Sequence, residues 1–93
     1  MPVRFYIPGY LRPFTGGRGS VVLPGAPSTV GGALELLWAH HPGVKERVVT
    51  EQGEVRPHIN VFVGEESIRF ADGLATPLSE GCEISILPAV SGG

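Results

Sequence analysis

The sequence predicts a small α+β fold in which one helix covers one face of a short sheet. Three observations carry that prediction. Ninety-three residues suffice for one domain that takes roughly two-thirds of its unfolded surface out of water. With 42% hydrophobic and 17% charged residues, the chain is too apolar and too weakly charged to stay disordered. Apolar residues recur at every second position in several short runs and at helical spacing in one longer run.

Val3, Phe5 and Ile7 alternate with Arg4 and Tyr6, which puts three apolar side chains on one face of a strand over 3–7. Pro8 and Gly9 end it. A loop rich in Gly and Pro (Pro13, Gly16, Gly17, Gly19) leads to a second strand, Ser20-Val21-Val22-Leu23, stopped by Pro24 and Gly25. The two strands read as a pair. Val30, Ala33, Leu34, Leu37 and Trp38 then follow helical spacing behind Ser28 or Thr29, either of which can cap the helix. Gly31 and Gly32 weaken its first turn, by roughly 1 kcal/mol each relative to Ala if they lie in the helix interior. Pro42 and Gly43 are expected to terminate it. Val44 and Val48 are spaced for one further helical turn within 44–49, ahead of a Gln52-Gly53 turn.

A third strand over 58–63 places Ile59, Val61 and Val63 inward and Asn60 and Phe62 outward. Gly64-Glu65-Glu66 turns into a short strand over 67–70. Glu80-Gly81 forms a turn before the last strand, Cys82 to Leu87, in which Ile84 and Ile86 face the core while Glu83, Ser85 and Leu87 face away; Pro88 stops it. The element order is β-β-α-β-β-β. One long helix covers only one sheet face, and the alternation puts Tyr6, Phe62 and Leu87 on the other. Three large apolar groups on a wet face mark a candidate docking surface, although singly exposed apolar residues are also ordinary on soluble proteins.

Composition excludes several function classes. Seven Lys and Arg against nine Asp and Glu give a net charge of −2. The basic residues (Arg4, Arg12, Arg18, Lys45, Arg47, Arg56, Arg69) are scattered along the chain, which argues against general binding to phosphate backbones. No apolar run approaches the ~20 residues that span a bilayer, and no signal-peptide arrangement opens the chain, so a cytoplasmic location is expected. The lone Cys82 allows neither an internal disulfide nor a zinc cluster.

Candidates for independent catalysis are thin. His40 and His41 are neighbours on a helix, about 100° apart, with no HExxH pattern or carboxylate partner, and read as helix-end residues. His58 precedes a strand and suits a local hydrogen bond. Asp72 and Glu80 stand near turns, where acids are solvated. Gly16-Gly17-Arg18-Gly19 lacks the Gly-Lys-Ser/Thr ending of a phosphate loop and reads as a hairpin loop. No enzyme activity of its own, no metal and no bound cofactor are expected.

Chemistry is concentrated at the carboxy-terminal end. Pro88-Ala89-Val90-Ser91-Gly92-Gly93, if extended, reaches roughly 20 Å. Two residues without Cβ atoms can thread a narrow channel while their amides pair with another protein. The reactive group is then the α-carboxylate of Gly93. With a pKa near ~3.5 it is ionised at neutral pH, and a carboxylate is a poor electrophile until its oxygen is made a leaving group.

Leu78-Ser79-Glu80-Gly81, the strand Glu83 to Leu87 and the segment Pro88 to Gly93 resemble the carboxy-terminal signature of the MoaD/ThiS family of ubiquitin-like sulfur carrier proteins. The β-β-α-β-β-β order and the length match that family too. The resemblance implies a β-grasp fold, with a small mixed sheet and one main helix packed on one face over 1–87, followed by a flexible tail over 88–93. Leu11-Arg12-Pro13-Phe14-Thr15-Gly16-Gly17, Arg69-Phe70 with Gly73-Leu74-Ala75-Thr76, and Ile86-Leu87-Pro88-Ala89-Val90 look most like the CysO-type subfamily, which serves cysteine synthesis in actinobacteria. Cys82 departs from the pattern, since many members place Asp after the turn glycine.

That resemblance implies a protein cosubstrate. A MoaB/ThiF-like ATP-dependent activating enzyme, using ATP and Mg²⁺, adenylates Gly93, and a sulfur donor converts the adenylate to a thiocarboxylate. The carrier itself binds no cofactor and supplies no acid, base or oxyanion hole. Gly93 has the covalent role, Gly92 gives steric access, and Pro88, Ala89, Val90 and Ser91 form the extended handle. Tyr6, Phe62 and Leu87 are the expected partner-docking residues. A cysteine synthase is the expected acceptor enzyme, with a JAMM-type metalloprotease as a further partner. Two alternatives share the same activated carboxylate. One is the small subunit of molybdopterin synthase, bound to its large subunit; the other is a ubiquitin-like modifier whose Gly93 is joined to a lysine of a target.

Overall fold

Alternation in the amino-terminal run produces a strand, β1 (Val3–Tyr6), whose Val3 and Phe5 are buried while Arg4 and Tyr6 face solvent. Ile7 continues the pattern as a fully buried residue just past its end. In this computed structural model, residues 2–79 and 81–88 are described. β1 pairs antiparallel with β2 (Ser20–Leu23) in the register Val3↔Leu23 and Phe5↔Val21, so the buried residues of both strands share one face.

The helical spacing forms α1 (Val30–His40), which buries Val30, Ala33, Leu34, Leu37 and Trp38. Thr29 is its N-cap, and its Oγ1 accepts from the Gly32 N–H at 3.2 Å, which satisfies one of the donors the first turn leaves unpaired. As expected from sequence, α1 ends just before Pro42, with His41 as its C-cap. Pro42 opens a second helix, α2 (Pro42–Val48), in which Val44 and Val48 are fully buried. Proline lacks an N–H and has its φ already set for a helix, so the feature that stops one helix suits the first turn of the next. Two short turns of helix thus stand where one further turn is expected.

The remaining strands are β3 (Ile59–Val63), β4 (Glu66–Ser67) and β5 (Glu83–Pro88). Sheet order is β2-β1-β5-β3-β4. β5 lies parallel to β1 and antiparallel to β3, so the last strand is inserted between the first and the third and the sheet is mixed. β4 is shorter than the expected strand over 67–70. After Ser67 the chain enters a 3-10 turn, Ile68–Phe70, started by the Ser67 hydroxyl accepting from the Arg69 N–H. β5 runs one residue further than expected and places Pro88 opposite Ile59.

One core results. Phe5, Ile7, Leu37, Ile59, Val61, Ile84 and Ile86, all at most 1% exposed, fill the space between the sheet and α1. Each such side chain contributes about 2 kcal/mol by leaving water. Val63, expected inward, packs against the core but is only half-buried at the hairpin to β4, where it pairs with Glu66.

Two loops that read as featureless hold 3-10 turns, Gly9–Thr15 and Gly73–Ala75. Buried threonines lock both. The Thr15 hydroxyl lies 2.8 Å from the Arg18 carbonyl and 3.2 Å from that of Arg12. The Thr76 hydroxyl donates to the Gly73 carbonyl at 2.6 Å and accepts from the Asp72 N–H at 3.1 Å. Arg12 Nε donates to the Ile7 carbonyl at 3.2 Å, and Gly16 adopts φ 67° at the end of the first turn, where a side chain is disfavoured.

Candidate functional site

The face of the sheet away from α1 carries the outward residues of every strand. Tyr6 pairs with Ser85 across β1 and β5, and Phe62 pairs with Ser85 across β3 and β5. Ser20 lies beside Tyr6, and Ser67 beside Phe62. One row therefore crosses the sheet as Ser20, Tyr6, Ser85, Phe62, Ser67, with two aromatic rings separated by small hydroxyl residues. Leu87, next on the same face of β5, pairs with Asn60, one step along the strand from Phe62. The three residues marked from sequence as docking residues thus share one face and surround Ser85. Tyr6 is 37% exposed, while Phe62 and Leu87 are half-buried. Arg4 and Glu83, also paired across β1 and β5, give the patch a charged margin.

The handle of the tail begins at Pro88, exposed at the end of β5. Ala89, Val90, Ser91, Gly92 and Gly93 lie outside the described residues, as does Glu80.

The other sequence candidates fall in structural places. His40 ends α1, its Nδ1 3.0 Å from the Leu36 carbonyl oxygen. His41 links the two helices, and desolvation, together with the His40 and Arg18 charges, holds its pKa below the ordinary 6.5. Cys82 is a free, half-buried thiol that helps line a small cavity with Val3, Pro27 and Leu78. Among the described residues no group of three His, Cys, Asp or Glu side chains could hold a metal ion, and no helix is long and apolar enough to cross a membrane.

Sequence reasoning missed two exposed aromatics. Phe70 is 85% exposed on the turn after β4, and Tyr10 is 47% exposed in the turn after β1. Burial of part of its ring raises the Tyr10 pKa above 10.0. Tyr10 belongs to no periodic run, and Phe70 fell in the expected strand over 67–70 that the structure replaces with a 3-10 turn.

A family model described as the ThiS family matches residues 5–93. The chain belongs to the ThiS family. Among curated ThiS-like relatives, the sulfur carrier protein CysO of Mycobacterium tuberculosis is 40% identical over 95 residues, covering 100% of both chains. The small archaeal modifier protein 3 of Haloferax volcanii is 41% identical over 66 residues, 71% of each chain. Among solved structures, a chain of the Amycolatopsis orientalis BexX/CysO complex superposes with a TM-score of 0.85 at 38% identity, covering 98% of this chain and 99% of that one.

ThiS-family membership fixes the fold as the ubiquitin-like β-grasp. It also fixes the broad role. The chain is a carrier of the class that includes CysO and the archaeal modifiers, a protein acted on by other enzymes and not a catalyst. Of the segments that look most CysO-like, Leu11 to Gly17 and Gly73 to Thr76 coincide with the two locked 3-10 turns, Arg69-Phe70 lies in the turn after β4, and Ile86 to Pro88 ends β5.

Proposed function

We propose that this ThiS-family chain is a sulfur carrier whose terminal Gly93 is adenylated and then converted to a thiocarboxylate that donates sulfide in cysteine biosynthesis. The observation that carries the reading is the match to sulfur carrier proteins CysO over the full length of both chains. In the first step the Gly93 carboxylate attacks the α-phosphorus of ATP and pyrophosphate leaves. ATP and Mg²⁺ belong to a MoaB/ThiF-like activating enzyme. In the second step hydrosulfide delivered by a sulfur donor attacks the acyl carbon, AMP leaves with the C–O bond pair, and a proton is released. The resulting thiocarboxylate is a sulfur nucleophile, suited to an activated serine derivative held by a cysteine synthase. A JAMM-type metalloprotease is the class of enzyme that would release an adduct from the tail.

Within this scheme Gly92 admits the tail to a narrow channel, Pro88 to Ser91 are gripped through their backbone, and Tyr6, Phe62 and Leu87 dock the carrier. The resemblance to archaeal modifiers at 38–41% identity favours a second reading, in which the same activated carboxylate is joined to a lysine.

The test is the intact mass of the protein isolated from its native cells without reduction or acid. A shift equal to exchanging one oxygen for sulfur, mapped to Gly93 and lost when Gly93 is deleted, is the expected result. High-mass conjugates that vanish with Gly93 would favour the modifier instead. An unmodified mass under sulfur-replete growth, with no adenylate formed by cell extract and ATP, overturns both.

A further inference from the structure

Although the chain carries a net charge of −2, three of its seven Lys and Arg residues gather around the segment Arg56-Pro57-His58-Ile59. Arg69 reaches it from beyond β4, its terminal nitrogen donating to the Pro57 carbonyl at 3.4 Å and the Ile59 carbonyl at 3.2 Å. Arg47 approaches from α2, and with Arg56, His58, Tyr10 and Glu46 it lines an open hollow. Glu46 is the one acid in that lining; Glu51 stands in the neighbouring hollow with Lys45 and Arg56.

Both guanidinium groups of the hollow are held in position. The Arg47 group lies 3.8 Å from the centroid of the Phe14 ring, stacked over its face. Arg56 Nε donates to the Glu46 carbonyl at 2.9 Å. A guanidinium has five N–H donors in a rigid fork, so each is oriented by one contact and keeps donors for another.

The position is specific. His58 precedes Ile59, and Ile59 pairs with Pro88, the last described residue. β1 and β5 are parallel, so Tyr10, four residues past Tyr6, stands at the same end of the sheet as Pro88. The hollow therefore lies at the end of the sheet where β5 finishes at Pro88.

We propose that this basic hollow is the orienting part of the docking interface, receiving acidic side chains of the activating enzyme beside the channel that takes the tail. The proposal rests on the carrier reading above. Apolar contact across Tyr6, Phe62 and Leu87 is non-directional and leaves the carrier's rotation on its partner loosely set. Paired guanidinium forks at the root of the tail fix that rotation, because they accept carboxylates in a planar, two-pronged geometry. An acidic protein surface fits better than a nucleic acid, since two forks on a chain of net negative charge cannot neutralise a run of phosphates.

The test measures pyrophosphate release by the purified activating enzyme against carrier concentration and ionic strength, with thermal unfolding followed for each variant. In the wild type, kcat/KM falls as salt rises. Arg47→Glu with Arg56→Glu raises KM about tenfold or more with kcat unchanged, as for reversal of an interface charge pair. Arg47→Gln with Arg56→Gln, which preserves side-chain bulk if charge reversal disturbs folding, flattens the salt dependence, whereas Arg18→Gln leaves both in place. A folded Gln pair with wild-type KM and salt dependence overturns the proposal, and so does an Arg18→Gln effect of equal size. A wild-type carrier that the enzyme does not adenylate at all overturns the carrier reading itself, a result distinct from an unchanged KM.

Discussion

Tyr6 and Phe62 flank Ser85 from opposite sides on the open face of the sheet, each directly paired with it across a neighbouring strand. Their spacing is a consequence of β5 being inserted between β1 and β3, which brings residues 56 positions apart in sequence into one row. If this row docks the carrier, Phe62→Asp weakens adenylation through KM. The half-buried position limits the folding cost to about 1 kcal/mol. Adenylation kinetics identical to wild type, in a protein whose unfolding midpoint shows that it is folded, would remove Phe62 from the interface.

Arg69 ties the turn after β4 to the start of β3 through two carbonyls. Removing the guanidinium leaves those oxygens to water, and Arg69→Ala should lower stability by about 1–2 kcal/mol in a denaturant titration, in line with hydrogen bonds from a charged donor. Arg69→Lys, with a point charge that cannot bridge two carbonyls in the same planar way, should recover only part of the loss. A midpoint unchanged in Arg69→Ala would show that the tie is not needed for the turn.

Gly31 stands in the first turn of α1, where sequence reasoning finds only a weakness. A Cβ there would lie 3.1 Å from the Leu74 carbonyl oxygen and 3.4 Å from Leu74 Cβ. The glycine lets the Gly73–Ala75 turn pack directly on the helix. In an open helix Gly→Ala gains about 1 kcal/mol. Here the neighbour is backbone, held by Thr76, and cannot withdraw freely. Gly31→Ala is therefore expected to destabilise the protein, and a higher melting temperature would refute the packing argument.

The same contrast shows what a sequence of this size reveals. Period-two runs identified the strands, and the burial of Phe5, Val61, Ile84 and Ile86 follows from alternation alone, whereas the pairing of β5 with β1 and β3 does not. What alternation lacks is distance. Arg69 meets Pro57 and Ile59 across ten to twelve residues, and Arg56 and His58 share a hollow with Arg47 because Arg56 is tied back to α2, its N–H to the Val48 carbonyl and its Nε to that of Glu46. Pro42 marked the end of α1 correctly, and what the sequence left short was the length of α2, which proline opens because an orphan N–H position suits it at a helix start. Strand propensity over 67–70 lost to the Ser67 hydroxyl, which turns the chain by capping Arg69 N–H. Among the candidate site residues, the grouping of Tyr6, Phe62 and Leu87 on one face was legible, whereas the role proposed for Gly93 joins the terminal Gly-Gly pattern to the family resemblance.

His41 gives the fold a pH dependence whose sign can be worked out. Desolvation, then the His40 and Arg18 charges, lowers its folded pKa below 6.5, so the native state favours the neutral ring and the unfolded chain binds the proton more readily. Stability from this residue is present above about pH 6.5 and is lost as pH falls through the lowered folded value. The NMR titration midpoint of His41 should lie below 6.5, and Arg18→Gln should move it upward by removing one positive neighbour. His41→Asn should lose less stability than wild type as pH is lowered from neutrality through that window. A midpoint at or above 6.5, or an identical loss in both proteins, would show that His41 is as well solvated when folded as when unfolded.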